Sequence, residues 1–257
     1  MKFRNLIFYY LTAALFLISC TEKHHSSEIT VSAGGNFTDV IKECANVYES
    51  DHPGTKVIVN IGSAGVLASQ IIAGAPADIF FSTTEKHADM VIDKGFGLKE
   101  TQRYFISNRI IAVYRKGLSF DLKSPDALLH EDVKKIALGN PETMSAGIAA
   151  QESLEFHGLY ESVKPKAVYG ETVRQVLDYV KKGEADAGIV FYTDFLIAKE
   201  SVEKGYVFGN DSHSPIKYPV FVVKGTKNLE ISKDFIDFLV SEKGLEIFKK
   251  FGYVTEI

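Results

Sequence analysis

The sequence predicts an α/β protein with mostly parallel sheets, and three observations predict it. Past residue 28, short apolar stretches of period two alternate with stretches whose apolar residues recur three and four positions apart, which is the pattern of strands alternating with amphipathic helices. Small and polar residues gather where the strands give way to helices. The chain has 257 residues, room for one large domain or for two lobes of about 100 to 130 residues each after a leader is removed.

The first element is that leader. Lys2 and Arg4 precede an apolar run from Leu6 to Ile18, and the run ends in Leu17-Ile18-Ser19-Cys20. A basic start, a short apolar segment and a small residue at the cut describe a secretory signal. The run holds 13 residues, short of the roughly 20 that span a bilayer as a helix. Its end resembles a bacterial lipobox, which implies cleavage before Cys20 and a lipid on its sulfur. Residues 1–19 are therefore expected to be a signal peptide and 20–27 a lipidated tether. The expected location is extracytoplasmic, anchored by lipid to the cell membrane, on the periplasmic face in a Gram-negative envelope. An uncleaved anchor helix, or an ordinary signal followed by a chance cysteine, is the alternative. His24-His25 stands without any further metal-ligand pattern and reads as solvated tether.

Ile29 to Ala33 is the first expected strand. From Asn36, a side chain suited to a helix N-cap, Phe37, Val40, Ile41, Cys44, Ala45 and Tyr48 recur at helical spacing to about Ser50. Cys44 lies on the apolar face of that helix and reads as a small buried hydrophobe. With Cys20 lipidated, it has no partner for an internal disulfide. Lys56 to Ile61 alternates as a second strand, Ser63 can cap a helix through Ile72 that stops at Gly74, and Ala77 to Phe81 is a third strand. Ser82 and Glu85 have capping-box spacing for a helix ending at Gly95. Further strands are expected at Arg109 to Tyr114, Lys135 to Leu138, Lys166 to Tyr169, Ala187 to Phe191 and Pro219 to Val223. Helices fit Ser145 to Phe156, Thr172 to Lys182 and Ile231 to Lys250. No solenoid repeat, low-complexity block or Pro-rich linker interrupts the pattern, so two lobes would have to be joined by short strand-like crossovers.

The formal charge is -4 with acids and bases interspersed. No basic stripe is present to neutralise phosphates, which excludes nucleic acid as a partner. Catalytic signatures are missing too: Gly62-Ser63-Ala64-Gly65 lacks the spacing of a nucleophile elbow, and no H-E-x-x-H or Cys/His cluster occurs. Asp211-Ser212-His213 is no triad, because three consecutive residues do not converge on one reacting atom. An enzyme is not expected, and neither is a cofactor.

The strand-to-helix turns carry the functional signal. Ala33-Gly34-Gly35-Asn36, Gly62-Ser63-Ala64-Gly65, Met144-Ser145-Ala146-Gly147 and Glu171-Thr172-Val173 are two turns in each half of the chain. In open α/β sheets ligands bind beyond the carboxyl ends of the strands. There the free backbone N–H groups and the dipole of a helix N-terminus favour an anion, and small residues let it approach the backbone. Capped turns with Gly and Ser also occur in every α/β protein, so a purely structural role stays open for each turn taken singly.

Several stretches together are similar to the periplasmic molybdate-binding protein family: Ile29-Thr30-Val31-Ser32-Ala33, Leu67-Ala68-Ser69-Gln70-Ile71, Gly74-Ala75-Pro76-Ala77-Asp78-Ile79-Phe80, Ser145-Ala146-Gly147-Ile148, Glu171-Thr172-Val173-Arg174, Ala187-Gly188-Ile189-Val190, Asp211-Ser212-His213 and Tyr218-Pro219-Val220. They occur in the family's order across nearly the whole chain after the leader. The resemblance implies a two-lobed periplasmic-binding-protein fold of type II. Residues 28–108 and 212–257 would form lobe 1 and 109–211 lobe 2, each a mixed, mostly parallel sheet flanked by helices, with two crossover strands. It implies a monomeric solute-binding protein that holds molybdate or tungstate between the lobes and delivers it to an ABC transporter permease.

On this resemblance the oxyanion-binding positions fall on Asn36, Ala64 with Ser63 beside it, Ala146, Val173, and Phe191 with Tyr192 beside it. Three depart from the family pattern. Asn36 replaces a serine but still donates through its amide, Ala64 donates only a backbone N–H, and Phe191 lacks the family's tyrosine hydroxyl. Ser63 and Tyr192 either restore the lost contacts or the ligand differs. None of these positions is acidic, which favours an acceptor-only dianion such as molybdate, tungstate or sulfate over monohydrogen phosphate, provided that Asp39 and Glu142 point elsewhere. Receptors for another tetrahedral oxyanion such as sulfate, and a surface adhesin or sensor that reuses the fold, are the alternatives.

Overall fold

The computed structural model describes residues 27–119, 121–142 and 144–255; the expected signal peptide, nearly all of the tether and the lipidation site Cys20 lie outside the described residues. Ser27, placed at the end of the tether from sequence, already belongs to the first strand. Among the described residues no helix is long and apolar enough to cross a membrane.

Two five-stranded sheets organise the chain. The first holds β1 (Ser27–Gly34), β2 (Thr55–Gly62), β3 (Ile79–Phe81), β4 (Arg103–Tyr104) and β10 (Pro219–Val222) in the order β2-β1-β3-β10-β4. The second holds β5 (Ile110–Tyr114), β6 (Ile136–Gly139), β7 (Ala167–Gly170), β8 (Ala187–Phe191) and β9 (Glu203–Val207) in the order β7-β6-β8-β5-β9. Each sheet has the same plan. Three neighbouring strands run parallel, β2-β1-β3 and β7-β6-β8, and an antiparallel pair completes the edge, β10-β4 and β5-β9. The chain passes from the first sheet to the second between β4 and β5 and returns between β9 and β10.

Helices cover the sheets because strand side chains alternate between faces. On β3, Ile79 and Phe81 enter the main core and Phe80 the opposite, smaller one; on β10, Val220 and Val222 divide from Phe221 in the same way. The smaller core is closed by α2 (Ala64–Ile72) and α3 (Glu85–Asp93) through Leu67, Ala68, Ile71, Ala88 and Val91. The main core is closed over the first sheet by α1 (Thr38–Asp51), α8 (Leu229–Val240) and α9 (Glu242–Lys250), through Ile41, Phe235 and Phe248 among others. It continues through the second sheet under α4 (Ser145–Phe156), α5 (Tyr160–Val163), α6 (Val173–Lys181) and α7 (Tyr192–Ala198).

Four local expectations need correction. Asn36 is not a helix N-cap: it lies within a 3-10 turn, Gly35–Phe37, and α1 begins only at Thr38. The cap of α3 is Thr84, whose hydroxyl accepts from His87 N, while Ser82 is spent on the Thr84 backbone instead. The single helix expected over Ile231 to Lys250 is two helices, because Ser241 turns extended, accepts from Gly244 N at 3.2 Å and donates to Phe238 O at 2.6 Å. A helix, α7, follows β8 directly where none was expected.

The stretch Gly74 to Phe80, one of the stretches that carry the family resemblance, acts in the scaffold. Gly74 adopts φ +87°, the left-handed conformation that ends α2. Asp78 accepts from Thr30 N at 2.7 Å and from Asn228 Nδ2 at 3.2 Å, and also from the Thr226 hydroxyl. Its carboxylate thereby fastens β1 to the loop that leads into α8.

Candidate functional site

Residues at or just beyond the carboxyl ends of all six parallel strands line one cavity of about 830 Å³. Both sheets contribute. Each turn reaches the cavity for a local reason.

The turn after β1 is set by Phe37, which is fully buried and stacks on Phe81 with ring centroids 4.0 Å apart. With Phe37 fixed inward, its neighbour Asn36 falls on the cavity wall. The Asn36 carbonyl accepts from Tyr253 Oη at 2.7 Å, and the Tyr218 hydroxyl lies beside its side chain. A Cβ on Gly34 would collide with Thr83, so only glycine lets the β1 and β3 turns meet.

The turn after β2 presents Ser63 and Ala64. Ser63 caps α2, accepting from Val66 N at 3.4 Å. Capping uses the oxygen as acceptor and leaves the hydroxyl proton free to donate. Ala64 opens the helix, so its N–H has no carbonyl one turn back.

After β6, Ser145 and Ala146 open α4 on the cavity wall. The next residue explains why this helix starts where it does. A Cβ on Gly147 would meet the Gly139 carbonyl and come within 2.7 Å of the Asn140 carbonyl carbon. Two glycines thus seat the N-terminus of α4 directly on the end of β6. After β7, Thr172 caps α6 by accepting from Gln175 N at 3.1 Å, and Val173 and Arg174 face the cavity. The cavity is therefore walled by the first turns of α2, α4 and α6, each at least nine residues long, with unfilled N–H groups and the positive ends of helix dipoles.

Six of the seven expected positions, Asn36, Ser63, Ala64, Ala146, Val173 and Phe191, lie together on this wall. Tyr192 does not. Its ring carries the Arg109 guanidinium at 4.1 Å and the Lys204 ammonium at 5.5 Å, so it faces away and supplies no hydroxyl for the one that Phe191 lacks.

The expectation of a wall without carboxylates also fails in part. Glu142 is absent from the wall, but Asp39 is on it, and so are Glu171, Asp178 and Asp194, with Arg174 and Lys181 as cations. Asp194 stands out chemically. Part of it is open to the cavity, yet its Oδ2 is occluded and accepts no hydrogen bond, the one carboxylate oxygen in that condition among the described residues. Burial pushes its carboxyl up to about 7, only partly opposed by the Arg174 charge. His87, bonded through Nδ1 to the Thr84 hydroxyl at 2.8 Å, is held below the ordinary imidazole value by burial and then by Lys86.

Sequence reasoning missed Thr83, Thr84, His87 and Asp194 as wall residues. The available signal was that β3 and β8 also end in strand-to-helix turns, at Ser82-Thr83-Thr84 and at Phe191-Tyr192-Thr193-Asp194. The six-fold repetition of that turn, not four, is what builds the cavity. Among the described residues no group of three or more His, Cys, Asp and Glu is placed to hold a metal ion.

Residues 29–254 match the family model described as bacterial extracellular solute-binding protein. A Bacillus subtilis (strain 168) protein, provisionally assigned as an ABC transporter substrate-binding lipoprotein, is 37% identical over 96% of each chain. The molybdate-binding protein of Escherichia coli (strain K12) is 33% identical over 95% of each chain. Among solved structures, the substrate-binding domain of a provisionally assigned molybdenum ABC transporter from Clostridium difficile superposes with a TM-score of 0.81 at 31% identity, covering 90% of this chain and 100% of that one.

Proposed function

This chain belongs to the bacterial extracellular solute-binding proteins and, among them, to the periplasmic molybdate-binding protein family; from that premise we propose that it captures molybdate or tungstate in the cavity between the two sheets and delivers it to an ABC permease. Its relatives are solute-binding proteins of ABC transporters and not enzymes. The oxyanion is a transported ligand, not a cofactor.

The observation that carries the reading is the convergence of helix first turns from both sheets on one cavity. Neutral donors suit a dianion. The Asn36 amide, the Ser63 hydroxyl and the backbone N–H groups of Ala64, Ala146 and Val173 each add a hydrogen bond to a charged acceptor, about 1.5 to 3 kcal/mol apiece. Five such bonds offset desolvation and closure and leave micromolar to nanomolar affinity, roughly -8 to -12 kcal/mol. The cavity of about 830 Å³ is the size of a pocket for a much larger molecule, so donors from both sides reach a four-oxygen anion together only after the halves approach. Residues 28–108 with 212–257 and residues 109–211 are proposed as the lobes that do so, and the closed form as the one that docks on the permease. Lipid on Cys20 would hold this monomer at the membrane.

Calorimetric titration tests the proposal. The chain from residue 21 on contains every described element; stripped of ligand, it is titrated in turn with molybdate, tungstate, sulfate and phosphate. Submicromolar binding of the first two with no heat from the others is the expected result. Silence toward all four, or a preference for sulfate, would refute the assignment.

A further inference from the structure

We propose that Asp194 and the captured oxyanion share one proton, so that capture of an acceptor-only dianion takes up a proton at Asp194 and weakens as the medium becomes alkaline. The inference rests on the oxyanion reading of the cavity and deepens it.

Geometry carries the proposal. Asp194 is on the cavity wall three residues beyond Phe191, which is only 1% exposed. Its Oδ2 is occluded and unpartnered, a state that costs an ionised carboxylate far more than a neutral carboxyl. Among the described residues no cation neutralises it by contact: Arg174, on α6, lies near enough to oppose the effect of burial but forms no ion pair with it.

The groups around it divide as follows. From α6 come Arg174, Asp178 and Lys181, from α1 Asp39, from the turn after β7 Glu171, and from α3 His87. Behind it stand the buried hydroxyls of Tyr218 and Tyr253, both of whose ionisation burial opposes first and the Asp194 charge further. On the β5 side, Arg109 is occupied over the Tyr192 ring. Three carboxylates and the His87 imidazole, which burial holds below its ordinary value, therefore share the wall with it, and the cations lie on one helix.

A dianion entering this cavity adds negative charge beside Asp194, and like charges in a confined, water-poor site drive the carboxyl toward its protonated form. The proton then changes the sign of the contact. A carboxylate can only accept, but a carboxylic acid donates through its O–H, and an anionic oxygen is the strongest acceptor available to it. The balance is simple: ionised Asp194, one solvent proton and the dianion give neutral Asp194 hydrogen-bonded to the dianion. Below the value near 7 to which burial pushes this carboxyl, the proton is already in place and binding does not depend on pH. Above it, each pH unit lowers the apparent affinity for molybdate by about tenfold.

The test is molybdate calorimetry on the chain from residue 21, at about pH 6 and about pH 8.5, each in two buffers of different ionisation enthalpy, with Asp194→Asn in parallel. The expected result is near-zero proton uptake at the lower pH and close to one proton per molybdate at the higher, with affinity more than tenfold weaker there. Asp194→Asn, whose amide donates without titrating, should bind with no proton uptake at either pH. Wild-type binding without uptake at pH 8.5, or unchanged uptake in Asp194→Asn, would overturn the proton-sharing inference and leave the oxyanion reading intact. No molybdate binding at pH 6 would overturn the oxyanion reading and this inference with it.

Discussion

Asn36 reaches the cavity because the residue after it is held by an aromatic stack: Phe37 lies on Phe81 and edge-on to Tyr218. Its side chain is thus positioned by the core and needs no capping role to fix it. Replacing Asn36 by Ala removes one donor to a charged acceptor and should weaken molybdate binding by about 1 to 3 kcal/mol, measured by titration. An unchanged affinity would remove Asn36 from the site. At Phe191 the change runs the other way. With Tyr192 engaged by Arg109 and Lys204, it does not replace the missing hydroxyl, so Phe191→Tyr should tighten molybdate binding roughly tenfold or more. Equal affinities would mean that this part of the wall does not touch the anion. The sequence shows Asn36, Ala64, Ala146 and Val173 at strand-to-helix turns, and the family resemblance is what marks them as oxyanion positions; all four line the cavity. Asp194 was not legible. Its chemistry comes from occlusion, and occlusion is a property of the packed chain.

At the scale of elements, the helix N-termini are placed by close approach. Gly147 is the clearest case, since its Cα sits against the end of β6 with no room for a Cβ. Gly147→Ala should push α4 off the strand, cost about 1 to 3 kcal/mol of stability as overpacking, and weaken molybdate binding because the Ala146 N–H moves with the helix. Denaturant unfolding paired with titration reads both; a stable variant with unchanged affinity would contradict the account. The span of α4 was read correctly from sequence, Ser145 to Phe156, since a polar start is followed by small and apolar residues at helical spacing. The edge strands β4 and β9 were missed because none of their residues is fully buried, so they lack the alternation that marks a buried face. The helix α7 was missed because Phe191-Tyr192-Thr193 continues a strand by composition, and the break at Ser241 because apolar spacing runs on from Phe235 and Leu239 to Phe248.

Over the whole molecule, the two sheets repeat one plan, so the carboxyl ends of both parallel triplets meet across the same cavity. Alternating strands and helices predicted the α/β class, but the insertion of β10 between β3 and β4 joins residues more than 100 positions apart and has no local signature. The crossings between the sheets are tied by side chains: Ser107 Oγ donates to Ile216 O at 2.7 Å, and Asn108 Nδ2 donates to Thr193 Oγ1 at 3.0 Å and to Tyr218 Oη at 3.4 Å. Such a short, hydrogen-bonded connection suits a hinge that turns as a unit. A ligand can shift that equilibrium only by its differential affinity for the closed state; under the proposed function the difference would arise because donors from the two sides converge on the anion only on closure. Solution scattering of the chain with and without saturating molybdate tests this most directly. A smaller radius of gyration is expected in the bound state, and identical dimensions at saturation would contradict closure around the anion.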